Sequence, residues 1–396
     1  MREGVGIRVG WGMFAAVLAC GGGAGSTSEG STSGSTSAGS TSEAQTSGSS
    51  GDAAGELVWS EWTRFPEHRY RGQVFEGDAA RASDPCVVRD GDTIRMFYTC
   101  LTGAARGGLC EAVSSDGRSW TRVPSIVPGV EGVVLDSVPG AWNENIETCS
   151  VVAGEAGLDL YFSGYRALDG EGTRDPAALG LARASDGVAF AYVGSEPVMT
   201  ATPHGRDGSD IFSAHVFAYD GGLAAVYVGY CQAGYHRETV CDQGEGIVLL
   251  GASLGAGGTW EKRSEPVLTA REDVAAMQYG VAEPAVIRGP DDRYYLFFTG
   301  GLGDSEPRVT LLARSDGPFG PWELRPEPLW APEAGSFEAC GAFAPDVLIT
   351  DDRVQMWYLA IDDCAGACAS CNFAECGCEP VYSIGYAESP WPLSSQ

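Results

Sequence analysis

One pattern returns five times along the chain: a short lead motif, an apolar run, a turn rich in Asp or Gly, and a second run heavy in aromatics. It reads Asp84-Pro-Cys-Val-Val with Met96-Phe-Tyr, then Thr148-Cys-Ser-Val-Val with Tyr161-Phe, then Ala214-His-Val-Phe with Val226-Tyr. Glu283-Pro-Ala-Val-Ile with Tyr295-Leu-Phe-Phe and Ala344-Pro-Asp-Val-Leu with Met356-Trp-Tyr complete the series. The lead residues stand 64, 66, 69 and 61 positions apart. A period of this kind constrains the fold before any other feature, because each unit can bury its apolar faces only against its neighbours.

Each unit continues into a third and a fourth strand. Third strands end in turns such as Ser115-Asp-Gly, Ser185-Asp-Gly and Ser315-Asp-Gly, whose residues accept left-handed backbone. Fourth strands open on an aromatic residue: Trp120-Thr-Arg-Val-Pro, Phe190-Ala-Tyr-Val, Trp260-Glu-Lys-Arg and Trp322-Glu-Leu-Arg. Four antiparallel strands per unit, five units and no helical period between them predict an all-β, five-bladed β-propeller. The fifth unit reaches its third strand at Tyr382-Ser-Ile-Gly-Tyr and ends before a fourth, whereas Val58-Trp-Ser-Glu-Trp-Thr-Arg-Phe resembles the fourth strands. An N-terminal strand near residues 57–66 is therefore expected to close the last blade and leave no free sheet edge.

Residues 1–20 read as a signal peptide: Arg2 and Arg8 precede a short apolar stretch from Trp11 to Ala19. Val17-Leu-Ala-Cys20 resembles a lipobox and makes Cys20 the expected lipidation site, so the protein is read as exported, either as a cell-envelope lipoprotein or as a secreted form. Residues 21–55, rich in Gly, Ser and Thr, cannot bury enough apolar surface to order themselves and read as a tether with a reach of about 30–35 Å. Residues 56–396 form the expected propeller domain. With 53 acidic against 25 basic residues and a formal charge of -28, the chain excludes nucleic acid as a partner and leaves contact with a membrane only through a lipid anchor. A monomer acting on neutral carbohydrate is expected, without a cofactor, although the central channel has room for a structural ion.

Of the 13 cysteines, twelve remain after Cys20, an even number that points to disulfides in an exported chain. Cys100 with Cys110, and Cys231 with Cys241, bracket the same loop in units one and three. The cluster from Cys364 to Cys378 has spacings that suit zinc as well, but the absence of a nearby His favours disulfides.

In a propeller the lead residues converge on one mouth of the channel, and the loops after the second strands return to it. Asp84 and Glu283 hold the same repeat position in units one and four, each before Pro. Two carboxylates at one mouth are what glycosidic cleavage requires, one to activate water or attack and one to protonate the leaving oxygen. Five blades with Asp-Pro leading the first and Glu-Pro leading the fourth resemble the five-bladed glycosidases, above all the arabinanases and xylosidases of glycoside hydrolase family 43, over about residues 57–392. The resemblance implies Asp84 as general base, Glu283 as general acid and an inverting mechanism. It also implies an acid-tuning Asp in blade three, where Ala214 stands; Asp210, four residues upstream, is the candidate substitute.

Glu147, Asp346, Trp142, His215, Tyr279, Phe343 and Arg166 are further candidates for sugar binding around the mouth. The invertase-like relatives fit less well, since no Asn-Asp-Pro-Asn motif is present. A phosphorylase would need bases for phosphate, for which Arg106, Arg166, Arg174 and Arg237 are available. The competing reading is a non-catalytic surface propeller that binds a glycan or a protein, favoured by the alanine in blade three and by the cysteine-braced loops.

Overall fold

The computed structural model describes residues 58–72, 82–102, 106–154, 157–166, 175–185, 189–233, 235, 239–255, 257–303, 307–350, 352–368, 370–372 and 376–395. The expected signal peptide, Cys20, the tether, Arg174 and Arg237 lie outside them. Two compact units are distinguished, residues 1–59 with 394–396, and Ser60–Leu393. In the smaller, Val58–Trp59 pairs antiparallel with Ser394–Ser395. The larger carries all the sheets that follow.

Among the described residues its named elements are strands and two 3-10 turns, Pro66–His68 and Ala275–Met277, an all-β composition as the repeat predicts. Sheet one comprises Ser83–Asp90, Thr93–Thr102, Arg106–Ser114 and Thr121–Arg122, with Val133–Leu135 added against its third strand. Sheet two runs Asn145–Gly154, Gly157–Tyr165, Ala178–Ala184 and Ala191–Tyr192; sheet three runs Asp210–Tyr219, Gly222–Cys231, Gly246–Leu254 and Trp260–Lys262. Ala282–Arg288, Tyr294–Gly300, Arg308–Ser315 and Glu323–Leu324 form sheet four. Gly341–Ile349, Arg353–Ile361 and Tyr382–Pro390 form sheet five, whose fourth strand is Thr63–Arg64 from the start of the unit, in register with Glu388 and Ala387. A short parallel bridge, Arg308 with Gly341 and Val309 with Ala342, joins sheets four and five.

The aromatic second strands explain the stacking of these sheets. Because successive residues point to opposite faces, Met96 and Tyr98 pack with Trp357, Ile384 and Tyr386 of sheet five, while Phe97 between them packs with Ile146, Leu160 and Phe162 of sheet two. Tyr161, Leu179 and Tyr227 continue the series between sheets two and three. The predicted Ser-Asp-Gly turns contribute too. In the first, Asp116 accepts the amides of Arg118 and Ser119 at 2.8 and 2.9 Å, and Gly117 adopts φ +75. A side chain at Gly117 would come within 2.7 Å of the Trp357 ring, whose indole N–H donates to the Gly117 carbonyl at 2.8 Å. Here glycine serves both the turn and the docking of sheet one on sheet five.

A second device marks Thr63–Arg64 as a true fourth strand. In sheet three a buried loop acid, Asp207, is held by Lys262 of the fourth strand at 2.5 Å and by the Tyr227 hydroxyl of the second strand at 3.2 Å. In sheet five the buried Glu338 is held in the same way by Arg64 and by the Tyr358 hydroxyl, the latter at 2.7 Å. The N-terminal strand thus supplies the cation that the chain supplies locally in sheet three.

All twelve cysteines of the described residues are paired. Cys100–Cys110 and Cys231–Cys241 form as the spacing predicts, and Cys340–Cys371, Cys364–Cys378 and Cys368–Cys376 lock the loop after the second strand of sheet five. The sixth, Cys86–Cys149, ties the first strand of sheet one to that of sheet two.

Candidate functional site

Each first strand carries a β-bulge, and at each bulge one residue takes a left-handed backbone: Asp84 at φ +50, Thr148 at +47, Ser213 at +43, Glu283 at +47 and Ala344 at +47. None is glycine. Such a conformation costs on the order of 1–3 kcal/mol per residue and persists only where the surroundings impose it, which is typical of sites where a side chain must be re-aimed.

The bulges correct the sequence frame in sheet three. Ser213, not Ala214, is the equivalent of Asp84 and Glu283. Ala214 matches Pro85, Pro284 and Pro345, which follow the leads of sheets one, four and five, and a slip of one residue reverses the direction of every side chain. The amides show the same alignment: Thr148 N–H donates to the Thr99 hydroxyl at 2.9 Å, Ser213 N–H to that of Ser163 at 3.0 Å, and Ala344 N–H to that of Thr299 at 3.0 Å. Each hydroxyl belongs to the second strand of the preceding sheet. It also serves its own lead residue: Ser163 shares a hydrogen bond with the Thr148 hydroxyl at 2.6 Å, Thr299 donates to Glu283 Oε2 at 2.6 Å, and Thr99 bonds the Asp84 carboxylate.

Asp84 and Glu283 lie close enough to feel one another's charge. Glu283 is 6% exposed, and burial together with the Asp84 carboxylate pushes its carboxyl up to about 7, against the opposing pull of Arg308, the Thr299 hydroxyl and the Ala344 amide. Asp84 keeps some accessible surface although protein surrounds it. Burial raises its carboxyl as well, offset by the hydroxyls of Ser83 and Thr99 and by Arg308. The Asp84 charge acts on Glu283, so Asp84 ionises first and Glu283 retains its proton to near neutrality. An acid that holds its proton to near neutrality because of a neighbouring carboxylate's charge can serve as proton donor while that neighbour accepts one.

Arg308, which acts on both acids, carries no motif in the sequence. It opens the third strand of sheet four, a position that the topology returns to the lead residues; a cation at the start of a third strand is the signal that could have found it.

The remaining candidates separate into distinct roles. Asp346 and His215 stand two places beyond their leads, in the same rank as Cys86, Ser150 and Ala285. Asp346 Oδ2 accepts the Val87 amide at 2.6 Å, Ser150 accepts that of Val216 at 2.8 Å, and His215 Nδ1 accepts that of Val286 at 3.2 Å. These bonds clamp one first strand to the next, and the Cys86–Cys149 disulfide does so between sheets one and two. Because Nδ1 is an acceptor, the imidazole proton sits on Nε2, 3.4 Å from Asp346 Oδ1. These two side chains are thus occupied within the fold. Among the described residues no group of three or more His, Cys, Asp or Glu side chains is placed to hold a metal.

Asp210 is fully buried, and its Oδ1 accepts the Ala177 amide at 2.7 Å, which ties it to the end of sheet two rather than to an open mouth. Trp142 stacks on Phe162, with its indole N–H on the Ser195 carbonyl at 2.9 Å, so packing occupies its ring. Phe343 is 1% exposed and lies beneath Arg308. Tyr279 is 58% exposed just before the first strand of sheet four and presents a free aromatic face. Glu147 is half-buried beside Tyr165, whose hydroxyl is 3.4 Å away. Arg166 is exposed and paired with Asp175, and Arg106 lies 3.8 Å from Asp136. The cavity of about 810 Å³ between Tyr70 and Trp120 lies against the outer strand of sheet one, away from the paired acids.

Fold and site together define a class: an all-β body of repeated four-stranded antiparallel sheets with two acids, Asp84 and Glu283, at equivalent bulges of its first strands. No family model and no curated protein matches the chain. Solved structures do. A thermostable family-43 glycoside hydrolase matches at 17% identity and a TM-score of 0.53, covering 73% of this chain and 87% of that one. The Cellvibrio cellulosa α-L-arabinanase complexed with arabinohexaose matches at 17% identity and a TM-score of 0.50, over 78% and 92%. An N-acetylgalactosamine deacetylase from F. plautii, in complex with blood group B trisaccharide, matches at 15% identity and a TM-score of 0.58, over 83% and 96%. The chain thus shares the fold of propeller-type, carbohydrate-active enzymes.

Proposed function

We propose that the protein is an exported, glycoside hydrolase-like enzyme built on a five-bladed propeller that Thr63–Arg64 closes, with its catalytic pair at the mouth of the channel. The observation that carries this reading is the pairing of Asp84 with Glu283 on equivalent bulges, the Asp84 charge and burial together pushing Glu283 up to about 7. In the cleavage step Glu283 gives its proton to the glycosidic oxygen as the bond to the anomeric carbon breaks. Asp84 draws a proton from the water that attacks that carbon. Thr299 orients the Glu283 carboxyl, and Arg308 balances the Asp84 charge.

A second reading, a propeller that binds glycan without cleaving it, is favoured by one observation. Ser213, with no carboxylate, occupies the lead position of sheet three, and Asp210 is buried away from solvent.

A hydrolysis screen of the folded, disulfide-bonded protein against chromogenic arabinosides, xylosides, galactosides and fructosides separates the two. Turnover should fall by about 10²–10⁴-fold in both Asp84→Asn and Glu283→Gln. Turnover that neither variant reduces, or none on any glycoside, would remove the hydrolase reading.

A further inference from the structure

Arg308 is half-buried, with its guanidinium 5.1 Å over the ring of Phe343. Its amide donates to the Cys340 carbonyl at 3.3 Å, and its backbone pairs with Gly341. A Cβ at Gly341 would come within 2.8 Å of the Phe343 ring and 3.4 Å of Arg308 Cβ, so glycine there leaves room for the stack. The charge reaches both Asp84 and Glu283. Yet among the described residues the guanidinium makes no side-chain hydrogen bond and no ion pair within 4.0 Å.

Several arginines on the strands are paired with acids instead. Arg95 is held by Glu111, Arg183 by Asp159, and Arg118 and Arg353 by Glu388. A partly desolvated guanidinium with its donors unfilled, fixed on an aromatic face beside the acid pair, is a binding group awaiting an acceptor. Ala344, the smallest lead residue, follows Phe343 directly and adds no polar group to that sector.

We propose that Arg308 receives a carboxylate carried by the sugar in the mouth, so that the ligand is an acidic, uronate-type glycan. This deepens the glycan reading above and rests on it. The planar fork of Arg matches a carboxylate with two parallel hydrogen bonds, and the ring beneath fixes its plane. The formal charge of -28 argues for a neutral ligand only at long range. Distant surface charges are screened beyond about 8 Å at physiological ionic strength, so they do not set what binds beside Arg308.

The test is calorimetric titration of the full, disulfide-bonded protein with D-galacturonate, D-galactose, D-glucuronate and D-glucose. At least one uronate should bind about 10-fold or more tightly than its neutral counterpart, as a charge-assisted hydrogen bond would give. Arg308→Met, with an unchanged circular dichroism spectrum, should erase that preference and bring the uronate and its neutral counterpart to equal affinity; Arg308→Gln serves as a second variant. Equal affinities in the wild type, no binding of any of the four, or a preference that survives both substitutions would overturn the proposal. A sugar sulfate held as tightly as the uronate would overturn the carboxylate assignment. Uronate binding without hydrolysis of uronosides would leave this inference standing and remove the hydrolase reading. Hydrolysis of neutral glycosides alone, dependent on Asp84 and Glu283, would do the reverse.

Discussion

Glu283 shows what a buried acid costs the fold. A carboxyl whose value is raised in the folded state binds its proton more tightly there than in the unfolded chain, so stability is lost as pH rises from about 4.5 towards 7. Glu283→Gln removes that loss. The variant should be more stable than the wild type at pH 8, on the order of 3 kcal/mol, and no more stable at pH 4, as denaturant titrations at the two pH values would show. At this scale the sequence was legible where a lead acid preceded Pro, as at Asp84 and Glu283. It was not legible at Ser213, because Ala214-His215 offers no proline to fix the frame and one residue of slip exchanges the lead for its neighbour. Ser213 Oγ is buried without a hydrogen-bond partner among the described residues, and Ser213→Asp would place a third carboxylate among the leads. Like charge near Glu283 should raise its value further and move the alkaline limb of the pH–rate profile upward, whereas an unmoved limb would show that Ser213 points elsewhere.

Among the elements, the first strands bear the most constraint. Their bulges set the lead side chains, and the rank two places beyond clamps neighbouring strands through Ser150, His215 and Asp346, with Cys86–Cys149 in the same role. That disulfide closes a loop of 63 residues, and loss of the pair through Cys86→Ala with Cys149→Ala should cost about 2–4 kcal/mol in thermal or denaturant unfolding. A cost near zero would mean that backbone pairing alone holds the two strands. The strands, their turns and the two ten-residue cysteine bridges were readable because local chemistry specifies them: alternating apolar runs, Ser-Asp-Gly turns and a spacing that recurs. The Cys86–Cys149 bridge was not, since nothing in the chain between two successive leads reports that their neighbours meet. Asp346 and His215 read as candidates for the mouth for the same reason. Their amide partners lie on other sheets, at sequence distances no local pattern encodes.

For the molecule as a whole, the repeat foretold an all-β architecture of similar sheets, and Arg64 shows how its first and last segments combine. With Glu338 and Tyr358 it rebuilds the arrangement of Lys262, Asp207 and Tyr227, although it comes from the opposite end of the unit. Arg64→Met would leave Glu338 buried without its cation and should cost about 3 kcal/mol. Function is less legible at this scale, because one fold serves glycoside hydrolases and a deacetylase alike among the solved structures that this chain resembles. The activity therefore has to be read from the acid pair, and the account stands on a strongly acidic molecule keeping one buried carboxyl protonated to neutrality. Carboxyl-carbon NMR of the protein labelled at glutamate, titrated from acid to alkaline pH in the wild type and in Asp84→Asn, tests this directly. One resonance should titrate near 7, vanish in Glu283→Gln and move to lower pH in Asp84→Asn. A Glu283 resonance that titrates in the ordinary carboxylate range, unchanged by loss of Asp84, would contradict the account.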